Sequence, residues 1–399
     1  MRQIEHKSVP DIRFPGFDKP WALQKVGDFV SEHREKSKQD NQHEVLTSSR
    51  AGLKPQSEYF GENRLTERDN TGFNVIPPNY ITYRSRSDNR EFFFNENNLG
   101  IHGIISVYYP VFRISGGNNQ FFTELLNSKR HHVGRYSVGT SQTVLSLNDL
   151  RSIRFPIPCE DEQRKIAGVL GAVDERIAQV TRKKALLEDY KKGCMQQLFS
   201  QSIRFKDDQG NDFPDWEEKR LGEVASVVGG GTPDSAVENY WGGDVQWFTP
   251  SEIKMKYLTK SARTISQSGL KKSSAKLLPV GTLLLSTRAT VGDVGIATEE
   301  CCTNQGFQSL VVNPENYNEF WYYWLVMNKR ELLRRASGST FLEIGKSEIL
   351  KIKGLRPHPD EQQKIADFLS AVDTKIDLVT QELEQAKTFK KGLLQQMFV

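Results

Sequence analysis

Apolar side chains recur in alternating steps of four and three along two stretches of the chain. In the first they fall at Ile166, Leu170, Val173, Ile177, Val180, Leu187, Cys194 and Leu198, with Lys184 and Lys191 completing the register. In the second they fall at Ile365, Leu369, Val372, Ile376, Val379, Leu383, Ala386, Leu393 and Met397, with Lys390 in the same frame. Steps of four and three are the seam of a coiled coil. Acidic residues open both stretches (Glu160, Asp161 and Glu162; Asp360 and Glu361), where the helix dipole favours them, and Pro158 and Pro357 mark where non-helical chain ends. Helices of about 38 residues would each extend ~57 Å. One small domain cannot cover such a rod. Two helices sharing one register are therefore expected to pair with each other, antiparallel.

The two stretches are copies. Pro158 to Phe199 aligns with Pro357 to Phe398 at an offset of 199 without a gap, and 20 of the 42 pairs are identical, which chance does not produce. The segments ahead of them echo as well: Ile12-Arg13-Phe14 with Ile203-Arg204-Phe205, and the stretch from Trp21 to Gly27 with that from Trp216 to Gly222. Between these ends the halves diverge. The expected organisation is a pseudo-twofold repeat of variable segment 1–157, helical spacer 158–200, variable segment 201–356 and helical spacer 357–399.

The variable segments read as mixed α/β (α+β) domains in tandem, separated by the two helices. The residues from Gly281 to Arg288 and from Val294 to Ala297 read as strands joined by a Gly-containing turn, and those from Ile104 to Tyr109 and Ile81 to Tyr83 as strands of the first half. Phe320 to Ala336 reads as a helix, with Phe121 to Lys129 its counterpart at the 199 offset.

Composition narrows the class without deciding it. Hydrophobic residues are 37% and charged residues 26%, as in a folded, soluble protein. No apolar run is long enough for a membrane span, and the first residues lead into no signal-like segment. Cys159, Cys194, Cys301 and Cys302 form no C-x-x-C pair, which speaks against zinc and suits reduced thiols of the cytoplasm. The net charge of +4 permits nucleic-acid binding, although local basic faces matter more than the total.

Several fragments imitate catalytic motifs. Pro214-Asp215-Trp216-Glu217-Glu218-Lys219 has the letters of a nuclease site, but its acids stand only two apart. Pro77-Pro78-Asn79-Tyr80 has the order wrong for an amino-methyltransferase, and Gly229-Gly230-Gly231-Thr232-Pro233 lacks the lysine of a phosphate-binding loop. His131-His132 has no ligand at metal spacing. A chain without catalytic residues, cofactor site or metal site of its own is expected.

What remains is recognition chemistry. Base edges are read by arginine, glutamine, asparagine, serine and threonine on rigid supports. The first half offers Ser48, Ser49 and Arg50 ahead of Gly52, then Tyr83, Arg84, Arg86 and Arg90. The second offers Thr287, Arg288 and Thr290, Asn304 and Gln305, and Ser339 and Thr340. Lys254, Lys256, Lys271 and Lys272 would suit phosphates.

With these features the chain resembles the specificity subunits of type I restriction–modification systems over its full length. The helical signature carries the resemblance: Asp161-Glu162-Gln163-Arg164-Lys165-Ile166-Ala167 and Asp360-Glu361-Gln362-Gln363-Lys364-Ile365-Ala366, each followed by Ala-Val-Asp (Ala172-Val173-Asp174 and Ala371-Val372-Asp373). Gly230-Gly231-Thr232-Pro233, the stretch from Thr287 to Gly292, and Asn304-Gln305-Gly306 are similar to the family's target-recognition domains. Gly52-Leu53 with Tyr59-Phe60 resembles a second class of that domain. The resemblance implies a DNA-reading subunit in which each domain reads one half of a bipartite, asymmetric duplex site. It also implies two methyltransferase subunits carrying S-adenosylmethionine and a restriction subunit driven by ATP and Mg, so that those cofactors belong to partners. The competing reading is a coiled-coil scaffold whose polar domains bind proteins.

Overall fold

The computed structural model describes residues 9–50, 52–60, 69–288, 290–338 and 342–398. They form two compact units, residues 1–182 with 381–399 and residues 183–380. Four helices organise them: α1 (Asn119–Ser128), α2 (Glu160–Phe199), α3 (Asn318–Met327) and α4 (Pro359–Met397). The unit boundaries fall inside α2 and α4, so each unit combines one mixed α/β segment with one half of each long helix.

Within the first unit the N-terminal half of α2 runs antiparallel to the C-terminal half of α4. Lys390 Nζ donates to Asp174 of α2 and to Glu124 of α1, both at 2.8 Å, and Arg176 pairs with Glu382. Burial draws the Lys390 pKa down, but the two carboxylates outweigh it and hold the ammonium above the usual lysine value. Ile166 and Leu170 are buried with Met397 and Phe398 in one core, against Phe121 and Leu125 of α1. Val180 and Leu383 are also buried, whereas Val173 and Ile177 are half-buried.

The second unit repeats the arrangement. Lys191 of α2 lies 2.6 Å from Asp373 of α4, and Met195 and Leu198 share a core with Ile365, Leu369 and Phe320. Val372 and Val379 are buried, and Leu187 and Ile376 half-buried. Lys191 and Lys390 are repeat equivalents, as are Asp174 and Asp373. The same cross-helix ion pair thus forms once in each unit, at a seam position where an apolar residue is the rule. A polar seam residue fixes register at some cost in stability.

The duplicated Glu-Gln of the helical signature explains why these segments resist divergence. Glu162 is buried, and Arg13 grips it with Nε at 2.7 Å and Nη2 at 2.9 Å while Trp21 Nε1 donates to it at 3.2 Å. Glu361 receives the equivalent set from Arg204 (3.1 and 2.8 Å) and Trp216 (2.9 Å). Gln163 accepts the backbone N–H of Asn118, the N-cap of α1, and donates to the Pro158 carbonyl. Gln362 does the same for Tyr317, ahead of α3, and for Pro357. Each glutamate closes the incoming chain onto its helix, and each glutamine ties that helix to the globule. Both satisfy groups that would otherwise be buried unpaired.

In the first globule, one four-stranded sheet is ordered Val30–His33, Val111–Ile114, Ile81–Tyr83, Phe94–Glu96. A second is ordered Gly52–Pro55, Glu44–Ser49, Gly103–Ile105, Asn74–Ile76. In the second globule, Ala225–Gly229, Gln308–Val312, Leu283–Leu285, Val294–Ala297 and Tyr257–Leu258 make a five-stranded sheet, next to a three-stranded one built on Trp241–Phe248. Three expected elements are shorter, among them the strand expected from Gly281 to Arg288, which is continuous only over Leu283–Leu285 and is followed by single bridges at Ser286 and Arg288. The strand expected to run to Tyr109 stops at Ile105, because the Tyr109 N–H turns back to the Ser106 carbonyl. The helix expected from Phe320 to Ala336 breaks at Asn328, whose backbone and side-chain N–H groups both donate to the Trp324 carbonyl.

A polar network joins α3 to α4 in the second unit. Lys256 Nζ donates to Glu319 (2.7 Å), Ser370 (2.7 Å) and the Tyr323 hydroxyl (3.1 Å), and Tyr323 donates to Asp373 at 2.5 Å. Burial raises the Glu319 pKa, but hydrogen bonds from Lys256, Tyr257 and Ser370 outweigh it and leave the carboxyl below its ordinary value. Its contribution to stability is therefore complete above the ordinary glutamate range and lost as pH falls through the lowered folded value. Glu319→Gln is expected to destabilise the protein at neutral pH, with the difference from wild type shrinking below about pH 4. Urea titrations across that range check it.

Candidate nucleic-acid interface

In the first unit, a cleft of about 810 Å³ gathers Ser48, Ser49, Arg50, Arg84 and Arg86 with Phe93. The hairpin Glu44–Ser49/Gly52–Pro55 forms one wall, and Gly52 sits at its turn with φ of +114°, which only glycine adopts without strain. Ser48 Oγ accepts from Asn95 Nδ2 at 2.7 Å, and the same amide donates to the Ser49 carbonyl at 2.9 Å, so the serines are held from below. Arg50 lies over the Phe93 ring, 5.2 Å from its centroid, and 3.5 Å from Glu91. Arg86 lies over the Tyr108 ring, 4.0 Å from its centroid. Arg84 is exposed on the same wall.

Two expected residues of this half are placed elsewhere. Tyr83 is wholly buried among Phe92, Phe94 and Phe112, and its hydroxyl donates to the Leu145 carbonyl at 3.0 Å. Burial pushes its pKa far up. It is a core residue with no edge to offer a base. Arg90 occupies a left-handed turn (φ +60°) outside the cleft lining, and its guanidinium donates to the Gly139 carbonyl at 3.3 Å.

In the second unit, loops carrying Thr232, Arg288, Thr290 and Gln305 meet at the surface. Thr232 Oγ1 donates to Gln305 at 2.6 Å, Asn304 Oδ1 accepts the Gly306 N–H at 2.9 Å, and Arg288 pairs with Glu343 at 2.9 Å. Thr290 is exposed, within 3.0 Å of the Ser286 hydroxyl. The Gly230-Gly231 backbone lies against its neighbours so closely that a Cβ on Gly230 would stand 1.9 Å from the Asn304 carbonyl oxygen, and one on Gly231 would stand 2.3 Å from the Ser274–Ala275 backbone. Only glycines let the two loops seat together. Trp247 Nε1 holds the Gly231 carbonyl at 2.9 Å from beneath.

Thr287 corrects the expectation for it: it is buried, and both its N–H and its hydroxyl bond the Gly306 carbonyl. Its task is to fasten the loop that carries Gln305. Lys256 is likewise withdrawn from phosphates into the network beneath α3, whereas Lys254 is exposed. Ser339 and Thr340 lie outside the described residues. The aromatic platforms were missed: Phe93, Tyr108, and Trp241, over which Arg263 stacks at 3.6 Å. For Phe93 the signal was the run Phe92-Phe93-Phe94, which begins two residues past Arg90.

Cys301 and Cys302 are buried, with their thiol pKa values pushed up to about 12 and about 11 by burial, so they are inert. Among the described residues no helix is long and apolar enough to cross a membrane.

Two unlike polar surfaces held by one duplicated set of anchors define a tandem-repeat protein with two mixed α/β domains. The model of the type I restriction modification DNA specificity domain matches residues 20–189 and again 214–388, and the chain belongs to that family. It is 34% identical over 203 residues to the type I restriction enzyme MjaIX specificity subunit of Methanocaldococcus jannaschii, an alignment covering 49% of this chain and 46% of the relative. It is 27% identical over 280 residues to the putative MjaX specificity subunit of the same organism (68% and 64%). These alignments thus take in about half to two thirds of the relatives' own lengths. The fold is that of the type I restriction-modification S subunit from M. genitalium, with a TM-score of 0.61 over 98% of this chain and 99% of that one at 16% identity. A chain from a structure of type I R-M complex assembly and conformational transition gives 0.54 at 20% identity, over 96% and 98%.

Proposed function

We propose that this chain is the sequence-specificity subunit of a type I restriction–modification complex. The segment 1–157 reads one half of a bipartite, asymmetric duplex DNA site and the segment 201–356 reads the other. The helices of 158–200 and 357–399 set the spacing and dock two methyltransferase subunits. The observation that carries the reading is the contrast within the repeat: the Glu-Gln anchors are duplicated contact for contact, while the surfaces they hold present different donors and acceptors. A framework that keeps its mounts and varies its faces suits two unlike half-sites. The chain supplies positioning and readout, and S-adenosylmethionine, ATP and Mg act in the methyltransferase and restriction subunits.

Binding to duplex DNA, measured with the methyltransferase subunits present, is expected to weaken linearly in log K against log salt as phosphate contacts are lost. Methylation mapping of a host expressing the complex is expected to show one motif with two unlike halves and a fixed gap. Protein binding with no salt-sensitive DNA affinity and no motif would identify a scaffold instead.

A further inference from the structure

Among the arginines of the first unit's cleft, Arg86 stands in a distinct state. Its guanidinium lies on the Tyr108 ring at 4.0 Å, and among the described residues that group has no hydrogen-bond or ion-pair partner. Arg50 is engaged with Glu91, and Arg130 is drawn to the same carboxylate at 3.3 Å. Among the described residues Arg84 has no stacking platform. The main chain that carries the platform is held: the Tyr108 carbonyl accepts both the backbone N–H of Ser85 (2.9 Å) and its hydroxyl (2.7 Å). Residues 86–87 are in turn tied to the strand Thr143–Val144. Stacking uses the flat face of a guanidinium and leaves its in-plane N–H fork free. The side chain is held in direction before anything binds, which lowers the entropy lost on binding.

Resting on the DNA-reading function proposed above, we infer that Arg86 is a specificity-determining residue that reads a guanine in the half-site of the first unit. A fixed planar fork matches two acceptors side by side, which are either the O6/N7 edge of guanine or two oxygens of a phosphodiester. The fixed direction favours the base. A phosphate needs charge at roughly the right place, which the exposed Arg84 of the same cleft supplies, whereas a base edge must be met in its own plane.

The test is methylation mapping of the assembled complex carrying Arg86→Lys, Arg86→Gln or Tyr108→Ala. Both arginine variants are expected to lower the preference for guanine at one position of one half-site by roughly tenfold or more, leaving the other half and the gap unchanged. Tyr108→Ala relaxes the same position less, and Tyr108→Phe keeps the wild-type motif. An unchanged motif in the Arg86 variants, or uniformly weaker binding with a salt slope reduced by about one, overturns base reading, the latter assigning Arg86 to phosphate. A half-site lacking guanine in the wild type overturns it equally. If neither arginine variant assembles, Tyr108→Ala decides, with an unchanged motif counting against the inference. A wild-type complex that yields no bipartite motif brings down the proposed function itself, which separates the two failures.

Discussion

Glu361→Ala is expected to destabilise the second unit by about 3–5 kcal/mol, the range for removing one partner of a buried ion pair. The carboxylate is fully buried, and its loss removes at once the acceptor shared by Arg204 Nε, Arg204 Nη2 and the Trp216 indole N–H. Glu162→Ala is expected to do the same to the first unit through Arg13 and Trp21. Denaturant unfolding followed by tryptophan fluorescence reads the second directly. Trp216, Trp241, Trp247, Trp321 and Trp324 lie in the second unit and Trp21 in the first, so the variants should lose different parts of the signal. A loss under 1 kcal/mol in both would mean the signature is not the fastening its geometry describes. The double variant Arg204→Met with Glu361→Leu should recover part of the stability, because replacing both members of a buried pair removes the stranded charge.

Shortening both long helices by one heptad, residues 184–190 and their repeat equivalents 383–389, is expected to change the gap of the recognised site while leaving both halves intact. Seven residues return the seam to phase, so the apolar register survives. The deletion removes about 10 Å of helix rise, roughly three base pairs of duplex. Methylation mapping before and after gives the answer, and an unchanged gap would show that something other than helix length sets the spacing. Deleting the heptad from one helix alone is expected to cost more stability. It leaves the Lys191–Asp373 and Lys390–Asp174 pairs unable to form in a single alignment.

Much of the architecture was legible because it is written twice. An ungapped copy of a long apolar stripe announces two helices, and paired helices of one register follow from burial. The role of the Glu-Gln signature was not legible in the same way. Arg13 and Arg204 were visible as echoes, but nothing in their spacing says that each reaches a glutamate some 150 residues away. A sharper clue lay in the seam. Lys191 and Lys390 stand where apolar residues belong, and a lysine in such a place needs a carboxylate opposite. The candidate site was half legible. Loop composition located the cleft with Ser48, Ser49, Arg50, Arg84 and Arg86, but could not separate Tyr83 or Thr287 from their exposed neighbours. In a strand one residue's step decides between core and solvent. Tyr83 also carries a polar tip that the core satisfies through a backbone carbonyl.

The interleaving of the two units has a consequence for biosynthesis. The core of the first unit needs Leu393, Met397 and Phe398, and the Gln396 carbonyl accepts the amides of Asp11 and Ile12. The second unit is contained within residues 183–380. The first unit must therefore wait for residues 393–398, roughly ten to forty seconds at ordinary elongation speeds over the some two hundred residues that separate its two parts. The later half closes before it. A chain cut after residue 380 would hold every residue of the second unit and leave the apolar side chains of α1 without Leu393, Met397 and Phe398 to cover them.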